Sequence, residues 1–285
     1  MSVPPSTGFP PGAEPLRIST TDGELAAVQM GPRDGPAMVL VPGFTGSKED
    51  FLPLLEPLAG AGLNVTAIDQ RGQHESPGTG RLDDYRLPSF TADLIDVIGS
   101  RPAHLVGHSF GGLVCREVTL ARPDLVSSLT LMDSGPGALP REHWDLMTAL
   151  CDLVPVATSE QIWVAKQAVD AAAGVPALEA DVEEFLHRRW VATDPWCLAG
   201  IAQTLMSVPD LTSELSDTVT QNGIPVLVMY GEDDTSAWPV PEMADMAARL
   251  AVPAVAIPGA AHSPAVENPQ RTVREIIDFV SARGV

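Results

Sequence analysis

Cysteine is scarce. Cys115, Cys151 and Cys197 are the only three in 285 residues; they lie far apart and form no C-x-x-C pair. An odd, dispersed set excludes a disulfide framework and a thiolate zinc site, and the apolar context of each marks it as a buried bystander. Basic residues are also few, 17 against 37 acidic ones, for a formal net charge of −20. A field of that sign repels phosphate backbones and anionic lipid, so neither nucleic acid nor a membrane is expected as a partner. The acids are scattered rather than blocked, as on a solvated surface. No run of 18 apolar residues is present, so no membrane-spanning helix is expected. The opening stretch "MSVPPSTGFPPGAEP" has neither the basic start nor the apolar centre of a signal peptide. Its prolines predict a flexible lead-in over 1–15, and a cytoplasmic location is the expectation. No cluster with metal-ligand spacing and no phosphate-cradling loop occurs, so no cofactor and no metal are expected.

What the chain does have is hydrophobic residues, 45% of the total, enough for a large core. Residues 16–30 read as two short strands around the turn Thr21-Asp22-Gly23. The apolar runs at 37–43, 63–69, 103–107, 126–133, 225–231 and 253–259 suit buried parallel strands. Helical patterns fall between them, at 47–62, 89–100, 110–123, near 240–250 and from about 269 to 282. The alternation stops from Ser134 to about Val219, where only helical patterns occur. The expected fold class is therefore α/β: a mostly parallel, doubly wound sheet from 16–133 and 220–285, with an all-helical insertion at 134–219.

The chemistry centres on "HLVGHSFGGLV", residues 104–114. Gly107-His108-Ser109-Phe110-Gly111 is a G-x-S-x-G pattern between an apolar strand and a helix, the context that makes such a serine a nucleophile at a sharp turn. The residues two before and two after must be glycine because side chains there would strike the adjacent strand and helix. The start of a helix also favours developing negative charge. A serine is a weak nucleophile and needs a base. His262, in "PGAAHSP" after the last short strand, has small neighbours that leave its ring free to reach the serine. Among the other histidines, His108 is expected to point away from the site and pack, while His104 and His74 read as scaffold.

"GHSFGG", "VPGF", "DQRGQHES", "GEDD" and "GAAHSPAVENP" occur together in the order found in α/β-hydrolase-fold proteins. The chain resembles that superfamily over about 16–133 and 220–285, and 134–219 sits where its members carry a helical cap. The resemblance implies a serine hydrolase in which Ser109 is the nucleophile, His262 the base and Asp234, three residues after the glycine of "GEDD", the acid. Some members place the acid at the strand end before the cap, which here is Asp133. The tetrahedral oxyanion would be held by the N–H of Phe110 and, by the resemblance, the N–H of Phe44. Many relatives have His before Gly43 where this chain has Pro42, a change that leaves backbone donors in place. Dehalogenases and epoxide hydrolases of the fold use aspartate as nucleophile; Ser109 argues against both.

Four of the five tryptophans lie in the insertion. Trp144, Met147, Trp163 and Trp190, with Trp238 beyond the acid loop, are candidate pocket residues, and an apolar, aromatic lining would suit a small-to-medium hydrophobic ester. Cleavage of a C–C bond, thioester or amide, a non-hydrolytic step on the same residues, and ligand binding by a slow triad are the alternatives.

Overall fold

The computed structural model describes residues 2–4, 7–175 and 177–282. Eight strands form one sheet in the order β1-β2-β4-β3-β5-β6-β7-β8. β1 (Glu14–Thr20) and β2 (Gly23–Met30) form an antiparallel hairpin, and β2 runs antiparallel to β4 (Asn64–Ile68). From β4 onward every pairing is parallel, through β3 (Ala37–Val41), β5 (Ala103–His108), β6 (Val126–Met132), β7 (Val226–Gly231) and β8 (Ala254–Ile257).

The central strands are apolar throughout because helices cover both faces. Along β3 the period of two sends Met38 and Leu40 to one face and Val39 and Val41 to the other. The first face packs on α1 (Leu52–Gly60) and α11 (Pro269–Ser281), which follows the short α10 (Pro264–Glu267). The second packs on α2 (Leu87–Ile98), α3 (Phe110–Ala121) and α9 (Val240–Arg249). Fully buried Leu40, Leu54, Leu55 and Leu129 each contribute roughly 1.5–3 kcal/mol by leaving water. The 47–62 pattern is split: Lys48–Phe51 is a single 3-10 turn, and α1 starts at Leu52 with Pro53 in its first turn, where a missing N–H costs nothing.

Between β6 and β7 lie α4 (Trp144–Leu153), α5 (Ser159–Ala172), α6 (Ala180–Ala192), α7 (Pro195–Ser207) and α8 (Thr212–Asn222), with no strand among the described residues. α4 pairs with α7 and α5 with α6, around a cluster of Ile162, Trp163, Phe185, Leu186, Trp190 and Leu198. α7 begins at Asp194-Pro195, where Asp194 accepts from the Trp196 N–H at 2.9 Å. α8 differs from the other four. It packs on α3 and α9, the helices of the sheet's second face, and its Leu215 and Val219 join the main core there.

The lead-in expected to be flexible is docked where it is described. Met1, Pro5 and Ser6 lie outside the described residues. Ser2 and Pro4 are buried and Phe9 packs against the α1–α11 side of the core. Arg189 of α6 donates to the Ser2 carbonyl at 2.8 Å, and the Ser2 and Ser263 hydroxyls are 2.8 Å apart.

Candidate active site

Ser109 sits between the end of β5 and the first residue of α3, at φ 52, ψ −119, a conformation that costs a non-glycine residue about 1–3 kcal/mol. Its N–H donates to the Met132 carbonyl at 2.9 Å. The flanking glycines are sterically required. A Cβ on Gly107 would lie 2.5 Å from the Gly111 carbonyl oxygen, and one on Gly111 would lie 2.3 Å from that of Val41. Gly112 is equally confined, 2.4 Å from Ser134.

Phe110 opens α3, so its N–H lies in the first turn, where no intrahelical acceptor exists. The loop after β3 passes close by: a Cβ on Gly43 would stand 3.1 Å from the Ser109 Cβ. This loop turns at Gly43–Gly46, with the Gly46 N–H donating to the Gly43 carbonyl at 3.2 Å, and Phe44 lies at its first corner. Gln70 and Gln73, from the turns after β4, hold its carbonyls.

His262 follows β8 and precedes α10. Glu267 fixes its loop by accepting from the Ala261 and Ser263 N–H groups at 2.8 and 2.9 Å. The His262 Nδ1 is 2.8 Å from the Asp234 Oδ2, which leaves Nε2 as the nitrogen for substrate chemistry. The other Asp234 oxygen accepts from the N–H and hydroxyl of Ser236 at 2.9 and 2.8 Å. Burial raises the pKa of the Asp234 carboxyl, but the His262 and Ser236 hydrogen bonds outweigh it and hold the group down to about 2.

Asp133, the other candidate acid, is fully buried at φ 45. One of its oxygens accepts from the Gly231 N–H at 2.9 Å and the other has no partner among the described residues. Ligating atoms of Asp133, Asp234 and His262 all lie within 4.8 Å of one another. Two buried carboxylates this close resist ionising together. Burial, reinforced by the Asp234 charge, pushes Asp133 well above the usual carboxylate range, whereas its hydrogen bonds hold Asp234 below it.

His108 differs from its expected place. Its Nε2 lies 2.5 Å from the His262 carbonyl, the two rings are 5.0 Å apart, and it lines the cavity beside Ser109. A carbonyl only accepts, so Nε2 carries the hydrogen. Burial, with His262 adding to it, pushes the His108 pKa down to about 3. No local sequence signal marks this place, because the partner is a backbone carbonyl 154 residues along the chain. His104 is scaffold, bonded through Nδ1 to the Ser128 hydroxyl at 2.8 Å.

Ser109, His262, Asp234, Phe44 and His108 line one cavity of about 310 Å³. Of the five expected pocket residues only Met147 lies on it, with Leu139, Leu205 and Ala237. The four tryptophans are used elsewhere. Trp163 and Trp190 are buried in the α5–α6 cluster. Trp144 donates to the Leu139 carbonyl and carries the Arg141 guanidinium over its ring. Trp238 is buried in the main core and donates to the Gly137 carbonyl at 2.9 Å. The cavity wall is instead small and mixed in polarity, with Gly43, Thr45, Gly46, Thr235, Ser236 and Ser263.

A strained serine between strand and helix, above a mostly parallel sheet and beside an imidazole–carboxylate pair, defines the class of α/β-hydrolase enzymes. The model of the alpha/beta hydrolase family matches residues 38–275, and the chain belongs to that family. It is 28% identical to the pimeloyl-[acyl-carrier protein] methyl ester esterase of Aeromonas salmonicida over 255 residues, 86% of this chain and 96% of that one. It is 28% identical to the sn-1-specific diacylglycerol lipase ABHD11 of Mus musculus over 174 residues, 60% of this chain and 54% of the lipase. With several such relatives the match spans about half of the relative's length. Among solved structures, a hydrolase from Pseudomonas aeruginosa PA01 superposes with a TM-score of 0.74 at 24% identity, over 94% of this chain and 98% of that one. No helix among the described residues is long and apolar enough to cross a membrane.

Proposed function

We propose that the chain is a cofactor-free serine hydrolase acting on uncharged carboxylic esters of small-to-medium, predominantly hydrophobic molecules. The observation that carries this reading is the His262–Asp234 bond of 2.8 Å beside a strained Ser109 on one shared cavity. His262 Nε2 takes the Ser109 proton as Oγ attacks the ester carbonyl, and Asp234 stabilises the imidazolium. The Phe44 and Phe110 N–H groups hold the oxyanion. His262 returns the proton to the leaving alcohol, and water, activated by the same ring, then cleaves the acyl-enzyme.

A cavity of about 310 Å³ lies at the lower end of small-molecule sites, roughly 300–1,000 Å³, which favours short chains. Glu267 and Asp234 on its wall, with the net charge of −20, disfavour anionic substrates. The ester-cleaving names of the Aeromonas and mouse relatives agree with this choice. The test is a series of p-nitrophenyl esters of increasing acyl length, with fluorophosphonate labelling read by mass. Turnover of the short members and a label on Ser109, both lost in Ser109→Ala, are expected. A Ser109→Ala variant that still turns over esters removes the mechanism.

A further inference from the structure

The loop that carries Phe44 is held by a side chain that does not touch the cavity. Gln73 is fully buried, in the tight turns after β4, and its Nε2 donates to the Gly43 carbonyl at 2.8 Å and to the Phe44 carbonyl at 3.0 Å. Its Oε1 accepts from the Gln70 N–H at 3.2 Å, which fixes the way the amide faces. Gln70 adds a third clamp, donating from Nε2 to the Pro42 carbonyl at 2.8 Å. Three consecutive carbonyls of the loop are thus held by two glutamine amides.

The geometry points to Gln73 as a positioning residue for the oxyanion hole, orienting and polarising the Phe44 N–H through the carbonyl of the same peptide unit. The Gly43 carbonyl and the Phe44 N–H are the two ends of one planar group and point in opposite directions. Holding the carbonyl on the buried side therefore aims the N–H toward the cavity side. The bond to Phe44's own carbonyl fixes the next peptide plane, so the corner of the turn has no free rotation. Hydrogen bonding at the carbonyl end also shifts charge along the amide and makes its N–H a stronger donor, by about 10–30%. The Gly46 N–H also meets the Gly43 carbonyl, at a longer 3.2 Å, and the bond to the Phe44 carbonyl comes from Gln73. Preorganised donors matter more for charge developing in a transition state than for a bound ester, so the effect belongs to kcat.

This inference rests on the hydrolase reading above, and the experiment separates the two. Gln73→Met keeps the side-chain volume and removes the amide; Gln73→His keeps one ring N–H donor. Four quantities are measured for each: kcat and KM on the best p-nitrophenyl ester, thermal midpoint, binding of an alkylboronic acid that becomes tetrahedral on Ser109, and binding of the planar, uncleaved amide analogue. Removing an oxyanion donor outright costs about 10²–10³ in kcat. A donor left in place but unheld is expected to cost about ten- to a hundredfold in Gln73→Met. Boronate affinity should fall by the same factor, with KM and amide-analogue affinity within about threefold. Gln73→His should recover part of the loss. A kcat in Gln73→Met within threefold of the parent overturns the proposal. So does an equal loss of boronate and amide-analogue binding, which marks a general structural role. If Gln73→Met does not fold, Gln73→His decides alone: a loss of kcat and boronate affinity with amide-analogue affinity kept supports a donor requirement, and parental values of all three, or a uniform loss of both ligands, refute it. A parent that hydrolyses no ester and takes no label at Ser109 instead overturns the hydrolase reading, and this one with it.

Discussion

His108 offers a test that needs no substrate. It is buried, its Nε2–H is committed to the His262 carbonyl at 2.5 Å, and its pKa is pushed down to about 3. In the unfolded chain the same imidazole titrates near 6.5. Between those values the unfolded state binds a proton that the folded state refuses. Stability from this group is complete above about 6.5 and is lost as pH falls toward 3. Going from about pH 7 to about pH 5 enters that window from above, and a single such histidine loses about 2 kcal/mol on the way. His74 and His104, also depressed by burial, act in the same direction, whereas the Asp234 carboxyl titrates below the window. The measurement is urea unfolding of the parent and of Gln at this position, His108→Gln, at both pH values. Gln places an amide N–H where the ring N–H was and has no charge to gain. The variant should lose about 2 kcal/mol less than the parent on acidification, at similar m-values. Equal losses in the two proteins would show that His108 titrates normally in the folded state and that its burial does not hold it neutral.

Three further outcomes are expected. Asp133→Asn should keep turnover within a few-fold, because an amide reproduces a protonated carboxyl, whereas Asp234→Asn should lower kcat by about 10³–10⁴; the reverse ranking in steady-state kinetics would make Asp133 the acid. Ser109→Gly should be more stable than Ser109→Ala by about 1 kcal/mol in chemical denaturation, since glycine adopts positive φ without strain; equal midpoints would mean that the elbow stores no strain. Gly111→Ala should fail to give soluble, cooperatively unfolding protein, because its Cβ would meet the Val41 carbonyl oxygen at 2.3 Å; a normal unfolding transition would contradict the packing.

The sheet was legible because each of its strands carries its own signal. β3, β5, β6 and β7 are apolar runs ended by glycine or a polar turn, and the helices between them start at recognisable positions. Ser109, His262 and Asp234, which line one cavity, could be singled out for a related reason: each follows a strand end, and a strand end can be read locally. Asp133 against Asp234 was not decidable that way. The difference lies in what surrounds each carboxyl: Ser236 and His262 around one, a single Gly231 N–H and apolar burial around the other. The place of His108 was misread for the same reason, since its partner is a backbone carbonyl 154 residues away.

The pocket shows where local reading stops. Tryptophan in an inserted helical segment looks like a substrate wall, but a large aromatic also supplies the most apolar area for joining short helices. Here the second use wins. α5 and α6 are short and amphipathic and have no sheet beneath them, so Trp163 and Trp190 are consumed in making them one unit. That unit is then pinned by charge. Arg189 of α6 enters the core and meets Asp50 at 2.7 Å and the Ser2 carbonyl at 2.8 Å, while Val3 packs into the same helical cluster. The inserted segment reaches the space over Ser109 through Leu139, Met147 of α4 and Leu205 of α7, Ser2 borders it, and the rest of its wall includes the small side chains Gly43, Thr45, Thr235, Ser236 and Ser263. Arg189 is tied to that edge through its bond to the Ser2 carbonyl. Arg189→Met, which keeps the bulk but leaves Asp50 buried without its cation, should loosen the helical unit and shift the acyl-length optimum of the ester series toward longer chains. An unchanged optimum in a folded variant would separate cavity size from the Arg189 anchor.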